Sequence, residues 1–258
     1  MKRITLALAL TMCAATSAFA ADLIRKAPVV AAPLPFSWTG FYVGGFIGGA
    51  WGSEDPTDLN EYAFQTLAGV PRSGVFHNWA YQLKPSVIGG GTIGYNYQIG
   101  SFVIGIEGEA GYIRLSGSGP DPQSPGLDVT SSSSLGDWYG MITGRGGVAW
   151  DRALVYVKGG AAFTRERGTI SDTCIVLPCG PVAITGSGST DVVAPVFGGG
   201  IEYAFTREWS VKAEYLYWAL NKHFLVTGVA SNGASYSWDH SFSPAQTVKL
   251  GINYSFRP

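Results

Sequence analysis

The feature that most constrains the fold is a recurring alternation of apolar and polar residues at every second position. In the segment 102–112 the apolar side chains share one face, whereas Glu107 and Glu109 fall on the other. The segments 210–218 and 247–256 repeat the pattern, and 39–51, 87–98, 138–149, 154–163 and 192–205 follow it with less contrast. A period of two is typical of β-strands with one apolar face. Strands of about nine residues or more can cross a bilayer when tilted.

The connections between these eight segments alternate strictly in length. Residues 52–86, 113–137, 164–191 and 219–244 form long connections, and 99–101, 150–153 and 206–209 form short ones. This rhythm predicts an all-β fold, an eight-stranded antiparallel up-and-down transmembrane β-barrel with both termini at the short-turn end. A soluble β-sandwich is the alternative, although the loops of a sandwich need not alternate in length.

The N-terminal residues have the character of an export signal. Lys2 and Arg3 precede an apolar run from Ile4 to Phe19, and small residues flank position 20. This pattern predicts a cleavable signal peptide over 1–20; a membrane anchor and a lipoprotein are the alternatives. Residues 21–37 are rich in Pro and Ala and are expected to form a periplasmic linker, which leaves 38–258 as the barrel domain.

Charge is scarce, with only 14% charged residues and a formal net charge of −1. About 25% is usual for soluble domains, so the chain has few charges for a water-facing surface. The near-neutral balance argues against a nucleic-acid partner, which requires clustered cations. Cys174 and Cys179 are the cysteines left after processing. In an exported chain such a pair predicts a disulfide, here in the third long connection. A metal site would need further ligands nearby, so we expect neither metal nor cofactor.

If the apolar faces contact lipid, the polar faces line the interior. Four acids and four bases fall there: Glu107, Glu109, Arg145, Lys158, Glu202, Lys212, Glu214 and Lys249. A barrel of eight strands is only wide enough for side chains to fill, so these groups are expected to pair as a network that plugs the lumen. A narrow pore and a catalytic role are the alternatives. For catalysis the available group is His223 and His240 with Ser231, Ser235, Ser237 and Ser241.

Aromatic residues concentrate near the predicted strand ends, where their rings suit the two membrane interfaces. We predict an aromatic girdle formed by Trp38, Trp138, Trp150, Trp209, Tyr217, Tyr254 and Phe256. Ordinary core aromatics of a sandwich are the alternative interpretation. In the first strand, we expect Phe41, Val43, Ile47 and Trp51 to face outward.

Several motifs resemble the Omp25/RopB-like outer-membrane immunogenic proteins of alphaproteobacteria, within the OmpA/OmpX-like eight-stranded barrels. The matching stretches are 38–45, 94–98, 138–145, 151–160 and 200–217. The resemblance implies an abundant, surface-exposed structural protein of the Gram-negative outer membrane that contributes to envelope integrity. Its four external loops would contact lipopolysaccharide, envelope neighbours or a host, and its C-terminal strand the barrel-assembly machinery. Family members usually end on an aromatic residue, whereas Arg257 and Pro258 follow Phe256 here. A narrow porin-like channel and a lipid A-modifying enzyme are the alternative functions.

Overall fold

A computed structural model describes residues 35–59, 80–120, 129–173, 183–220, 222–230 and 235–256. The predicted signal peptide and most of the predicted linker lie outside these ranges. Thirteen strands occur within them: β1 (Gly40–Trp51), β2 (Ser53–Glu54), β3 (Thr57–Asp58), β4 (Tyr81–Gln82), β5 (Ser86–Ile99), β6 (Phe102–Pro120), β7 (Val129–Trp150), β8 (Ala153–Asp172), β9 (Ile184–Ala204), β10 (Trp209–Trp218), β11 (His223–Ala230), β12 (Ser235–Ser241) and β13 (Ala245–Phe256). No helix in the described ranges is long and apolar enough to cross a membrane.

Eight of these strands close into a ring. Neighbours pair antiparallel in the order β1, β5, β6, β7, β8, β9, β10, β13, and β13 returns to β1. The two edges meet in register, with Phe41 opposite Phe256 and Trp51 opposite Gln246. The predicted eight-stranded antiparallel barrel is confirmed. Closure satisfies every strand edge in the ring, which a sheet inside a bilayer requires.

Alternation sorts the side chains of the ring into an outer and an inner set. Outward positions are apolar and exposed, among them Phe41, Ile47, Ile106, Val157 and Leu250, each at least 60% exposed. The inner set at neighbouring positions is buried and contains the charged residues. The expected outward set of the first strand is confirmed, because Phe41, Val43, Ile47 and Trp51 all face the exterior. Such a surface is costly in water and is stable against hydrocarbon.

The long connections differ from the prediction, because much of their length is strand. β6 and β7 stay paired as far as Pro120 and Thr130, and β8 and β9 stay paired as far as Asp172 and Ile184. The glycine- and serine-rich composition of 113–137 and 164–191 indicates loops. Composition alone misses the apolar residues that occupy some of the inward positions there. Leu115, Leu135, Ile170 and Ile184 are all fully buried or nearly so. We call this extension of the barrel beyond the lipid-facing rows the outer lobe.

A hairpin within the fourth predicted loop completes the outer lobe. β11 pairs with β12 and with the outer end of β9, and β12 pairs with β3. β2 and β4 form a separate small sheet. An apolar cluster that includes Trp238, Phe242 and Val226 lies inside the lobe.

The interior of the barrel is layered along the strands. A basal apolar cluster lies at the short-turn end and contains Trp38, Val103, Ala149, Leu154, Tyr156 and Ala204. The second apolar cluster begins further along the same strands, at residues such as Met141, Ala162 and Leu216, and continues into the outer lobe. The charged inward residues occupy the positions between these two clusters on β6, β7 and β8.

Candidate functional site

The eight predicted interior charges come together in one layer of the barrel. They project inward from six strands, β6 to β10 and β13, and none is more than 5% exposed. Inward projection follows from the alternation, since each occupies the parity opposite to the lipid-facing side chains. The layer contains four carboxylates and four cations, so its formal charges balance.

Glu107 lies at the centre of the layer. Its Oε2 accepts hydrogen bonds from the Tyr42 hydroxyl at 2.7 Å and from Lys212 Nζ at 3.0 Å. Its Oε1 accepts a short bond from Lys158, and Arg145 Nη1 lies 3.9 Å from Oε2. One carboxylate thus faces three cations, an arrangement that compensates for the loss of water around it.

Lys158 occupies the position that a metal ion would take. The carboxylates of Glu107, Glu109 and Glu214 converge until their oxygens lie within 4.8 Å of one another, close enough to hold a cation. The Lys158 ammonium is bonded to Glu107 and lies 3.6 Å from Glu109 Oε2 and 3.3 Å from Glu214 Oε1. An ammonium group therefore supplies the positive charge inside this triangle of carboxylates.

The remaining charges are paired around this centre. Lys249 Nζ donates to both oxygens of Glu109 at 2.8 and 2.6 Å. Arg145 Nη1 donates to Glu202 Oε2 at 3.1 Å, and Arg145 Nε donates to Asn96 Oδ1 at 2.8 Å. The arrangement is a connected hydrogen-bond network in which each charge faces an opposite one, and such networks rigidify the groups they join.

Three tyrosines belong to the network and were not predicted from the sequence. Tyr42 donates to Glu107 at 2.7 Å, Tyr139 to Glu109 at 2.5 Å and Tyr156 to Glu214 at 2.7 Å. Tyr42, Tyr139 and Tyr156 are 1%, 4% and 3% exposed. Parity is the signal that could have found them, because each lies next to an outward apolar or aromatic residue and neighbouring residues of a strand point to opposite faces.

The predicted girdle residues face outward with one exception. Trp138, Trp150, Trp209 and Phe256 are exposed, and Tyr217 and Tyr254 are partly so. The prediction is wrong for Trp38, which is 2% exposed and packs in the basal apolar cluster. Its indole Nε1 donates to the Asp151 carbonyl oxygen at 3.2 Å, and its backbone amide donates to Gln98 Oε1 at 2.7 Å. Trp38 lies before β1 and closes the short-turn end of the interior.

The structure divides the histidine and serine group considered for catalysis between two environments, with His223 opposite Ser241 in the β11–β12 pair. His223 is exposed beside Asp239, whereas His240 is buried in the outer lobe. Glu54 Oε1 and Ser133 Oγ approach the same nitrogen of His240, Nδ1, at 2.5 and 3.3 Å. A Ser-His-acid triad requires the serine on the other ring nitrogen. His240 Nε2 has no hydrogen-bond partner among the described residues.

Besides Glu54, the outer lobe contains a second buried carboxyl group, that of Glu166. Neither oxygen of Glu166 has a hydrogen-bond partner within the described ranges, although the residue is fully buried. Burial, together with the charge of Glu54, raises the pKa of Glu166 to about 8. Burial also raises the pKa of Tyr81, whose hydroxyl donates to Glu54 at 2.9 Å. Cys174, Cys179 and Ser231 lie outside the described residues, so the predicted disulfide stays a prediction.

A closed ring of eight antiparallel strands with an apolar exterior and a paired, charged interior is the architecture of an outer-membrane β-barrel. Residues 5–256 match the family model described as outer membrane protein beta-barrel domain, and the chain belongs to that family. It is a protein of the Gram-negative outer membrane.

Relatives confirm the resemblance drawn from the motifs. The chain is 32% identical over 260 residues to the 31 kDa outer-membrane immunogenic protein of Brucella melitensis biotype 1, covering 94% of this chain and 95% of the relative. It is 24% identical over 247 residues to the 25 kDa outer-membrane immunogenic protein of Brucella abortus biovar 1, covering 93% and 91%. The crystal structure of OprG from Pseudomonas aeruginosa matches with a TM-score of 0.51 and 11% identity over 87% of this chain and 99% of OprG, a likeness of fold alone.

Proposed function

We propose that the chain is a non-conducting structural protein of the outer membrane, which contributes to envelope integrity and presents the outer lobe at the cell surface. One observation carries the proposal: the charged layer is buried between two apolar clusters. Val103 and Leu154 lie on its basal side, and Met141 and Leu216 lie on its outer side.

An ion moving along this interior would have to displace the network or shed its own water. Lys158 and Lys249 are 3% and 1% exposed, so no continuous file of water contacts them. Further out, the rings of Tyr139 and Trp218 meet edge to face at 5.3 Å between centroids. Desolvation of an ion inside a protein costs at least several kcal/mol, and the carboxylates of this narrow interior already face the cations of the network.

Planar-bilayer recording tests the closed lumen. We expect purified mature protein, folded as judged by heat-modifiable migration, to give no steady conductance steps in concentrated KCl. The contrary result is a steady conductance that changes in Lys212→Gln, which lies in the network, but not in Lys84→Gln, which is exposed on the outer lobe. That outcome would replace this proposal with a narrow porin-like channel.

We further propose that the chain has no catalytic role. Support comes from the geometry of His240: Ser133 approaches Nδ1, the nitrogen already bonded to Glu54, whereas a nucleophilic serine would have to lie on Nε2. Lipid A modification is the relevant activity to test, because it is the chemistry expected of an enzyme in this membrane. Mass spectra of lipid A from cells with and without the gene are expected to be identical, and a new acylation pattern would contradict the proposal.

The surface role rests on the outer lobe and on the named relatives. The relatives are outer-membrane immunogenic proteins, which is consistent with a surface that antibodies reach. Contacts with host molecules or envelope neighbours would be made by this lobe. At the other end, β13 finishes on the exposed Phe256, and we propose this strand as the segment that the barrel-assembly machinery recognises.

A further inference from the structure

A groove crosses the boundary between the lipid-facing surface and the outer lobe. It encloses about 460 Å³ on the outside of β7, β8 and β9. Its membrane side is formed by the exposed apolar residues Trp138, Phe163 and Val193, and Arg165 and Arg167 follow immediately on the side away from the membrane. On β8 the change from apolar to cationic takes place between Phe163 and Arg165, which occupy successive outward positions.

Charge in and beside the groove is unbalanced toward positive. Arg165 is bonded to Asp191 through two nitrogens at 2.7 and 3.2 Å, and Arg167 to Asp137 at 2.8 Å. Arg114 lies 3.8 Å from Asp137, and Lys222 Nζ donates to the Asp191 carbonyl oxygen at 3.0 Å. Among the residues that the structure describes there, four cations thus surround two carboxylates, an excess of two positive charges at an exposed rim.

The rim is not uniformly cationic. Where β10 and β13 follow β9 in the ring, it carries the neutral pair Tyr215 and Gln246, whose side chains meet at 2.8 Å. A general need for solubility above the membrane would be met by any polar residues around the rim. Cations gathered around the groove instead indicate a ligand with localised negative charge.

We propose that this groove binds lipid A, with an acyl chain against Trp138, Phe163 and Val193 and a phosphate group between Arg165 and Arg167. The order of chemistry along the groove matches the order along the ligand, because lipid A carries its phosphates directly above its acyl chains. Arginine suits this role, since its guanidinium has five N–H donors in a planar fork that fits phosphate oxygens. The side chains of Arg165 and Arg167 remain 52% and 45% exposed despite their ion pairs, which keeps them accessible to a ligand.

The inference rests on the outer-membrane location and not on the closed lumen. The lobe emerges at the long-connection end of the barrel, which in outer-membrane barrels faces the exterior. The leaflet on that side is composed of lipopolysaccharide. A failure to bind lipid A would leave the conductance result unaffected, and a conducting lumen would leave the groove unaffected.

Native mass spectrometry of the mature protein in detergent tests the proposal, with bisphosphorylated lipid A as the probe and EDTA present to remove bridging cations. The double variant Arg165→Gln/Arg167→Gln is expected to bind about tenfold more weakly or worse, because two charge-assisted contacts to phosphate are lost. Lipid A stripped of its phosphates is expected to bind wild type and variant equally. The matched control is Arg152→Gln/Arg207→Gln, which removes the same charge at the short-turn end and is expected to bind like wild type.

A second variant distinguishes a specific loss of lipid A binding from misfolding, because it is expected to gain affinity. Asp137→Asn/Asp191→Asn removes the carboxylates that compete for the same arginines, and it is expected to bind bisphosphorylated lipid A severalfold more tightly. Equal affinity of wild type and Arg165→Gln/Arg167→Gln overturns the proposal. So does an equal loss in the control at the short-turn end, or binding that does not depend on the phosphates.

Discussion

At the scale of single residues, the interior shows how a β-barrel accommodates charge in a membrane. Lys158 lies among three carboxylates, and each of those carboxylates also accepts a hydrogen bond from a tyrosine. Removal of one partner from such a set leaves a buried charge uncompensated and is far more disruptive than loss of an exposed pair. The same principle applies to the outer lobe, where the charge of Glu54 acts on Glu166 more strongly than the opposite charge of Lys222.

Glu166 is expected to make the outer lobe less stable as the pH rises. Its pKa is about 8 in the folded lobe and returns to the ordinary glutamate value of 4.5 when the lobe opens. The folded lobe therefore keeps a proton that the opened lobe releases, so stability falls between about pH 4.5 and 8 and then levels off. We expect hydrogen-exchange protection in β11 and β12, corrected for intrinsic rates, to drop about tenfold or more between pH 5 and pH 8.

Substitution of Glu166 by Gln removes the titrating group and is expected to flatten this profile. Glu208→Gln, an exposed glutamate at the opposite end of the barrel, is the matched control and should keep the wild-type profile. A wild-type lobe whose protection is independent of pH would contradict the assignment.

The residues of the interior layer could be predicted from sequence because parity alone decides which face a strand residue occupies. All eight predicted charges lie inside, whereas their pairing partners depend on strand register, which no local pattern contains. Trp38 was misassigned for a related reason: it precedes β1, so the alternation of the strand does not extend to it, and it folds inward under the barrel.

At the scale of strands, the sequence predicts the number and order of the eight strands in the ring but neither their lengths nor the additional strands of the outer lobe. A predicted strand at 138–149 is observed as Val129–Trp150, and one at 154–163 is observed as Ala153–Asp172. Lipid contact creates a strong apolar alternation, and above the membrane the outward positions become Ser, Thr and Arg. Only some inward positions there stay apolar, so a run of serines such as 131–134 is typical of a loop.

The transition between membrane and outer lobe on β7 contains a bulge. The register shifts between Leu135 and Gly140, and Gly136 and Asp137 adopt positive φ values of 103° and 91°. A bulge of this kind redirects side chains. Here it turns Asp137 toward Arg114 and Arg167 at the rim.

Gly136→Ala is expected to destabilise the protein by about 1–3 kcal/mol, because the backbone there disfavours any L side chain. An added Cβ would also lie 1.9 Å from the Ile113 carbonyl oxygen. Urea unfolding in phospholipid vesicles measures the change. Gly140→Ala, where nothing lies within 4 Å of an added Cβ, is the control and should unfold like wild type. Equal midpoints for the two variants would show that the bulge does not constrain the strand.

At the scale of the whole molecule, the lysines provide a test of topology. Lys84 and Lys222 are exposed on the outer lobe, whereas Lys158, Lys212 and Lys249 are buried in the interior. A membrane-impermeant amine reagent added to intact cells is expected to modify the first two and none of the other three, as read by peptide mass spectrometry.

Lys26, in the predicted periplasmic linker, reports whether the membrane stayed intact and is expected to react only after permeabilisation. Modification of Lys26 in intact cells, without modification of Lys84, would mean that the barrel is inserted with the opposite orientation.

The continuity of β6 to β9 from the bilayer into the outer lobe determines what kind of surface an antibody meets. Ser118, Ser132, Thr169 and Ser187 come from four different strands, yet they lie on one outward face of the same sheet. An epitope there is assembled from segments far apart in the sequence. These segments are held together by pairing of the same strands that cross the membrane. A short linear peptide copied from any one of these strands would lack three quarters of such an epitope.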